Sequence, residues 1–263
     1  MKRYLLALLS VLSLSFAFAQ TNFIKNQDWE AIKEQAKREN KLIFLDAYTD
    51  WCGWCKVMDK KTFSDETIGK MMNQYFVNVK LEMEKEELGI KLALKYSVTS
   101  FPSYLVFNAE GEMIYQTIGY QEQAVFMTTL MDIINPAKHH SRPGYGKSLD
   151  LEYPKFYLKA MGQNGKRKFP EEKEVNEWMD KNSDLSKEVN WTVYQRFIYA
   201  ANEKNANRFW DNKAELDSLY GKDLVDNVAK NLLGTQMRTM AKDGDDSKME
   251  NTLKKRLPLI DKG

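Results

Sequence analysis

The chain has two cysteines, Cys52 and Cys55, and both lie in the run Trp51-Cys52-Gly53-Trp54-Cys55-Lys56. Two sulfurs at this spacing can close a small, reversible disulfide. An apolar run precedes the pair and a helical pattern follows it, so we expect the first sulfur at a helix N-terminus. There the free backbone N–H groups and the positive end of the helix dipole favour a thiolate. The pattern therefore indicates electron exchange with the disulfides of other proteins.

A structural disulfide and a metal site are the alternative uses of such a pair. Closing so short a loop removes little entropy from the unfolded chain, so a structural disulfide here would stabilise the fold only slightly. A zinc site usually has four ligands, and the only histidines, His139 and His140, lie far along the sequence. We therefore favour redox chemistry, with the Cys52–Cys55 disulfide as the redox group, no metal and no separate cofactor.

Residues 1–19 have the pattern of an export signal. Lys2 and Arg3 precede an apolar stretch that ends in Ala17-Phe18-Ala19, a small-x-small cleavage pattern. We expect cleavage before Gln20 and a periplasmic or otherwise exported mature protein. An uncleaved anchor is the alternative, but the apolar stretch is shorter than the roughly 20 residues that a membrane helix needs. We therefore expect no stable membrane insertion after cleavage.

The net charge excludes one class of partner. The formal charge is +2, and loss of the two cationic residues of the signal would bring it to zero. A chain without excess positive charge has no electrostatic basis for binding nucleic acid or an anionic membrane. We expect protein thiols and disulfides as partners instead. Export would also place the cysteines in a compartment where disulfides persist.

Residues 22–137 alternate between helix and strand patterns. Apolar runs predict strands at 41–48, 75–83, 103–108 and 113–118, and helical periodicity predicts helices at 28–40, from the cysteine pair onward, after Ser64-Asp65-Glu66, at 86–96 and at 121–135. The pattern places Ile68, Met71, Met72 and Tyr75 on the inward face of one helix, and Val125 on that of the last. Alternation of this kind predicts an α/β domain.

Residues 138–149 contain Pro143, Gly144 and Gly146 without periodicity, so we expect a linker there. From residue 150 to 263 only helical patterns occur. They cover 154–161, 171–181, 186–203, 206–219, 222–241 and 246–256. This spacing predicts an all-α domain of helical hairpins packed side by side.

The first part resembles the thioredoxin superfamily. Residues 42–56 resemble its active-site strand, loop and helix start, and 79–81 its next central strand. Phe101-Pro102-Ser103 resembles its cis-proline loop, and Gly111 and Gly119 the glycines that flank its last hairpin strand. The whole is similar to exported thioredoxin-like reductases, including the soluble C-terminal domain of DsbD. The resemblance implies a thioredoxin-like fold, a central mixed sheet flanked by helices, followed by the helical domain.

The resemblance also implies roles for four residues. Cys52, nearer the loop and expected to be the more exposed, would be the nucleophile, and Cys55 would resolve the mixed disulfide. Asp46 matches the buried carboxylate that accepts a proton from the second cysteine, and Lys80 matches its lysine neighbour. The alternative is that Asp46 merely ends an apolar strand and faces solvent.

Five further residues are expected to bind or orient the substrate. Gly53 and Trp54 would set the geometry between the cysteines, and Pro102 would have a cis peptide bond beside the substrate backbone. Trp51 would cover the motif, although core packing is an alternative for it, as an ordinary loop is for Pro102. Trp54 stands where thioredoxin has proline, and Phe101 stands where a smaller residue is common, so substrate preference and potential stay open.

Three functions are compatible with the sequence. The first is a reductase of protein disulfides, supplied with electrons by a membrane or soluble thiol donor. The second is a disulfide oxidase or isomerase built on the same chemistry. The third is a redox-switched binding module in which the helical domain recruits a partner. Asp46 and Trp51 favour the first.

Overall fold

The computed structural model describes residues 20–25, 28–162 and 166–260. The predicted export signal and its cleavage site lie outside these residues. Within them, no helix has both the length and the apolar character that crossing a membrane requires.

The first part folds around a five-stranded mixed sheet. Its elements are β1 (Phe23–Ile24), α1 (Trp29–Glu39), β2 (Leu42–Tyr48), α2 (Gly53–Lys61), α3 (Glu66–Tyr75), β3 (Phe76–Glu82), α4 (Glu87–Tyr96), β4 (Ser103–Phe107), β5 (Met113–Ile118) and α5 (Gln123–Ile133). The strand order is β1-β3-β2-β4-β5. Strand β2 runs parallel to β3 and antiparallel to β4. The predicted thioredoxin-like α/β architecture is thereby confirmed.

Local sequence explains how the chain enters the central strands. Asp28 caps α1 by accepting a hydrogen bond from the Ala31 N–H at 2.8 Å, and Asn40 ends the helix in the left-handed conformation. Strand β2 then passes between β3 and β4, and its central residues are buried because helices cover both faces of the sheet. Its register places Asp46 beside Lys80 on β3 and Tyr104 on β4.

Two predicted core positions are wrong. Tyr75 is exposed because it is the last residue of α3, whose inward face is formed by Ile68 and Met72. Val125 is exposed as well, because Phe126, with Leu130 and Ile133, directs the buried face of α5 towards the sheet. In each helix the apolar pattern fitted more than one face, and packing buried a face that does not include the predicted residue.

The second part is helical, as predicted. It contains α6 (Lys155–Ala160), α7 (Glu172–Lys181), α8 (Glu188–Phe197), a 3-10 turn (Ile198–Ala200), α9 (Glu203–Tyr220), α10 (Lys222–Asp243), α11 (Asp246–Arg256) and a final 3-10 turn (Leu257–Leu259). The expected helix over 186–203 ends early, because Asn202 caps α9 by accepting from the Asn205 N–H at 2.9 Å. Helices α9 and α10 form a hairpin around Gly221, whose φ is +86°.

The segment 138–149 has no helix or strand, but it is not a solvated tether. Arg142 and Tyr145 are buried in it. A Cβ at Gly144 would lie 2.4 Å from the Tyr220 ring, so only glycine fits this close approach. One apolar cluster continues from the sheet through Tyr145 and Trp191 to the hairpin of α9 and α10. The two parts therefore share a core, and the proposed domain boundaries stay predictions.

A buried lysine stabilises the junction of the two parts. The Lys95 ammonium donates to the carbonyl oxygens of Gly146 at 2.7 Å and Ser148 at 2.9 Å, and it pairs with the Glu188 carboxylate. The second Glu188 oxygen accepts from the Gly146 N–H at 2.9 Å. Every hydrogen of the ammonium therefore has an acceptor, and Glu188 supplies the opposite charge, although burial still lowers the pKa of Lys95.

Candidate active site

The cysteine pair lies where β2 leads into α2. Cys52 is the N-cap of α2 and Cys55 lies in its first turn. The two sulfurs form a disulfide, with the Cα atoms 5.4 Å apart. The Cys55 N–H donates to the Cys52 sulfur at 3.0 Å. This bond and the helix dipole would both stabilise a Cys52 thiolate in the reduced protein.

Both cysteines are buried in this disulfide state. Cys52 is 4% exposed and Cys55 is 3% exposed, so the expectation that Cys52 is the more exposed cysteine stays a prediction for the reduced protein. Exposure therefore does not distinguish the two cysteines. The distinction comes from position, since only the Cys52 sulfur accepts a backbone N–H at the helix start.

Asp46 is buried within β2, which excludes the interpretation that it faces solvent. Burial raises its pKa to about 6, and the neighbouring Lys80 ammonium limits that rise. Its Oδ1 atom has no hydrogen-bond partner among the described residues, and the same is true of the Tyr104 hydroxyl opposite. A buried carboxyl with a free oxygen and a raised pKa is suited to accept a proton.

Lys80 connects Asp46 to helix α2. Its Nζ lies 3.0 Å from Asp46 Oδ2 and also pairs with the Asp59 carboxylate. Burial lowers the pKa of Lys80, but the two carboxylates outweigh burial, and the net shift is upward. The rings of Tyr48 and Phe23 lie 5.0 and 5.5 Å from Nζ, which favours the cation further. The lysine is therefore a fixed positive charge beside Asp46.

Asp59 is a site residue that the sequence analysis missed. It lies four positions after Cys55 on α2, so the two side chains share a face of that helix. Through Lys80 it belongs to the same charged cluster as Asp46. Helical spacing from the second cysteine could have identified it.

Two tryptophans border the cysteine pair, and both are largely exposed. Trp51 is 64% and Trp54 is 60% exposed, which excludes core packing for Trp51. The Trp51 ring packs edge-on against Phe101 with centroids 5.8 Å apart. Its Nε1–H donates to Glu84 at 2.8 Å. Trp54 stacks on Tyr120 at 5.5 Å, a neighbour that the sequence analysis also missed.

The remaining predicted residues lie on the loop before β4 and at the start of α2. The Phe101–Pro102 peptide bond is cis, as expected, and the Pro102 carbonyl accepts from the Gly119 N–H at 2.9 Å. Phe101 is half-buried. A Cβ built at Gly53 would meet nothing within 4 Å, so the surface at Gly53, between the two cysteines in sequence, is open. Among the described residues, no group of three or more His, Cys, Asp or Glu side chains could hold a metal ion.

The geometry agrees with comparisons to known proteins. Residues 11–96 match the family model Thioredox_DsbH, described as "Protein of unknown function, DUF255". The thiol:disulfide interchange protein DsbD of Vibrio vulnificus (strain CMCP6) is 28% identical over 123 residues, which are 44% of this chain and 21% of that protein. The chain thus spans about a fifth of the length of this relative.

Two solved structures match the same part of the chain. A candidate disulphide isomerase from Bacteroides thetaiotaomicron is 31% identical to this chain. The match covers 44% of this chain and 96% of the isomerase chain, with a TM-score of 0.40. The oxidised C-terminal domain of DsbD from Neisseria meningitidis is 21% identical, covers 38% of this chain and 88% of its own, with a TM-score of 0.33. The cysteine pair, the cis proline and the sheet order described above form a thioredoxin-like domain, and over part of its length the chain is similar to thiol:disulfide interchange proteins.

Proposed function

We propose that this protein is an exported thiol–disulfide oxidoreductase that reduces disulfides in other proteins. One observation supports this most strongly. The buried carboxyl of Asp46, with its pKa raised to about 6, shares a lysine with Asp59, and Asp59 follows Cys55 by one turn of α2. A buried carboxyl that titrates near neutral pH, linked through Lys80 and Asp59 to the helix of the second cysteine, can supply the proton acceptor that reductive exchange requires.

The reaction transfers two electrons in two exchanges. The Cys52 thiolate attacks one sulfur of a substrate disulfide, and the other substrate sulfur leaves as a thiolate and takes a proton. Cys55 then loses its proton to Asp46 and attacks the Cys52 sulfur. The second substrate thiol is released, and the Cys52–Cys55 disulfide forms. No bound cofactor is needed, because the cysteine pair carries both electrons.

Lys80 and Asp59 act through Asp46 in this scheme. The ammonium keeps the pKa of Asp46 from rising further, since it favours the charged carboxylate. Asp59 is partly exposed and faces the same lysine. The cluster would therefore pass a proton from Cys55 towards the surface of α2.

The exposed aromatic rim supports a protein substrate. Trp51, Trp54 and Phe101 offer apolar faces around the open space above Gly53. Pro102, with its cis peptide bond, lies beside them and would orient the substrate chain. Aromatic rims of this kind favour extended polypeptide over small polar thiols.

Export is supported by the sequence pattern of residues 1–19, and disulfide exchange by the relationship to thiol:disulfide interchange proteins. In each cycle the substrate disulfide oxidises the cysteine pair of an exported reductant. The protein therefore needs a thiol donor, either soluble or in the membrane, to restore its dithiol.

A trapping experiment tests the proposal. In a Cys55→Ser variant the second exchange is blocked, so exported substrate proteins should accumulate as mixed disulfides on Cys52. Cys52→Ser is the matched control and should trap none. Reduced wild-type protein should reduce insulin disulfides, whereas neither variant should do so catalytically. Absence of trapped substrates together with absence of insulin reduction would contradict the proposal.

A further inference from the structure

A cleft of about 620 Å³ lies between the edge of the sheet and the helical part. Its sheet wall includes Gln116, Thr117 and Ile118 of β5, and its helical wall includes Arg196 of α8 and Arg238 of α10. Strand β5 pairs with β4 alone. Within the described part of the chain, its outer edge therefore has no strand partner, and Gln116, Thr117 and Ile118 of this edge strand line the cleft.

The cleft begins next to the redox site. Ile118 pairs in register with Ser103, the residue that follows Pro102. Ser97 and Thr99, which also line the cleft, belong to the loop that leads into the cis peptide bond. A chain bound at the cysteines could therefore continue into the cleft without leaving the surface.

Arg196 is a cation without a carboxylate partner. Its Nε atom is buried and has no hydrogen-bond partner among the described residues. The Phe169 and Phe197 rings lie 5.3 and 5.7 Å from its Cζ and hold the guanidinium in place. Burial lowers the pKa of Arg196; the Tyr199 and Tyr157 phenols act against burial, but no Asp or Glu of the described residues does.

A second arginine, Arg238, also lines the cleft. Arg238 is exposed, and its guanidinium donates to the Thr235 hydroxyl at 3.0 Å rather than to a carboxylate. No Asp or Glu occurs among the described residues that line the cleft. By contrast, Arg142 and Arg167 pair with Asp223 and Glu84. The two cleft arginines thus leave positive charge uncompensated beside an open strand edge.

We propose that this cleft binds an extended segment of the substrate protein that carries an Asp or Glu side chain. The segment would lie along β5, with its carboxylate on Arg196 and Arg238. A guanidinium fork matches a carboxylate, and an open strand edge can pair with an extended peptide. This inference rests on the proposed function and deepens it, because it names acidic segments near the target disulfide as the preferred substrate class.

Matched peptides test the inference. Each carries one cysteine as a mixed disulfide with thionitrobenzoate, and its flanking residues include either glutamates or glutamines, placed before or after the cysteine. The Cys52 thiolate of the reduced protein attacks the peptide sulfur and releases the coloured thionitrobenzoate thiolate. The measured quantity is the ratio of the second-order rates for the glutamate and glutamine peptides.

We expect wild-type protein to prefer a glutamate peptide by about tenfold, the size of one charge-assisted hydrogen bond. The double variant Arg196→Gln/Arg238→Gln should bring the ratio to about one, and salt should lower it in the wild type. Lys230→Gln, on α10 but outside the cleft, is the control and should leave the ratio unchanged. If Arg196→Gln does not fold, Arg238→Gln alone must still lower the ratio.

The outcomes separate this inference from the function on which it rests. Equal rates for both peptides in the wild type, or a preference that survives loss of the arginines, overturn the inference and leave the reductase intact. Failure to react with either peptide, together with failure to reduce insulin, overturns the proposed function and the inference together.

Discussion

Lys95 and Lys80 are both buried and paired with carboxylates, and their surroundings differ. At the junction of the two parts, Lys95 has an acceptor for each hydrogen, and both oxygens of its partner Glu188 are bonded. Under the cysteine helix, Lys80 pairs with two carboxylates, yet Asp46 Oδ1 has no partner among the described residues.

The difference separates a structural cluster from a functional one. A fully bonded buried charge fixes one arrangement of the chain, and nothing is left free to exchange a proton. An incompletely bonded carboxyl costs free energy of folding but can change its protonation state. We therefore infer that the junction serves stability, and that the Asp46 cluster serves the proposed proton transfer at some cost to stability.

The largest effect is expected at the junction. Lys95→Met would leave Glu188 as an uncompensated, nearly buried charge and should lower the free energy of unfolding by about 3–5 kcal/mol. Lys70→Met, which removes an exposed pair with Glu66, should cost less than about 1 kcal/mol. Denaturant unfolding measures both. Equal losses in the two variants would mean that the Lys95 cluster is not structural.

The next effect concerns catalysis. Asp46→Asn removes the proton acceptor and should slow disulfide reduction about 100-fold at neutral pH, the lower part of the range for general base catalysis. The deficit should shrink at higher pH, where hydroxide or buffer can deprotonate Cys55. Asp50→Asn removes an exposed carboxyl from the loop between β2 and the cysteine pair and should change little. A deficit that is the same at every pH would indicate a merely structural role for Asp46.

The same residue should make stability depend on pH. Because burial raises the pKa of Asp46 from 3.8 to about 6, the folded disulfide form binds more protons than the unfolded chain between these values. The contribution of Asp46 to stability therefore falls as pH rises through this window. At neutral pH, Asp46→Asn should be more stable than wild type by about 1–3 kcal/mol. Unfolding curves from pH 4 to 7 for both proteins check this, and parallel curves would contradict it.

The smallest effect is expected where the helical part contacts the active-site rim. Arg167 pairs with Glu84 at 3.1 Å, and Glu84 accepts the Trp51 indole N–H. All three side chains are partly exposed, so Arg167→Gln should change stability by less than about 1 kcal/mol. Thermal unfolding measures this change. A larger loss would mean that the rim, and not only the Lys95 cluster, fastens the two parts together.

The sequence was sufficient to predict the features that depend on residues close to one another along the chain. The cysteine spacing, the cis proline and the mixed sheet flanked by helices followed from local pattern and resemblance, and Asp59 was within reach of helical spacing. Tyr75 and Val125 were misplaced because an apolar pattern on a short helix fits more than one face. The Lys95–Glu188 pair joins residues 93 positions apart, and only packing brings them together. The cleft beside β5 depends on the same long-range packing.

The equilibrium reduction potential of the Cys52–Cys55 pair tests the central claim most directly. It can be measured in glutathione or dithiothreitol buffers, with thiol alkylation to count the reduced protein. The account predicts a value near that of thioredoxin, about −270 mV. A value towards about −120 mV, at the oxidising end of the range for such pairs, would contradict it and would mean that the protein forms or isomerises disulfides.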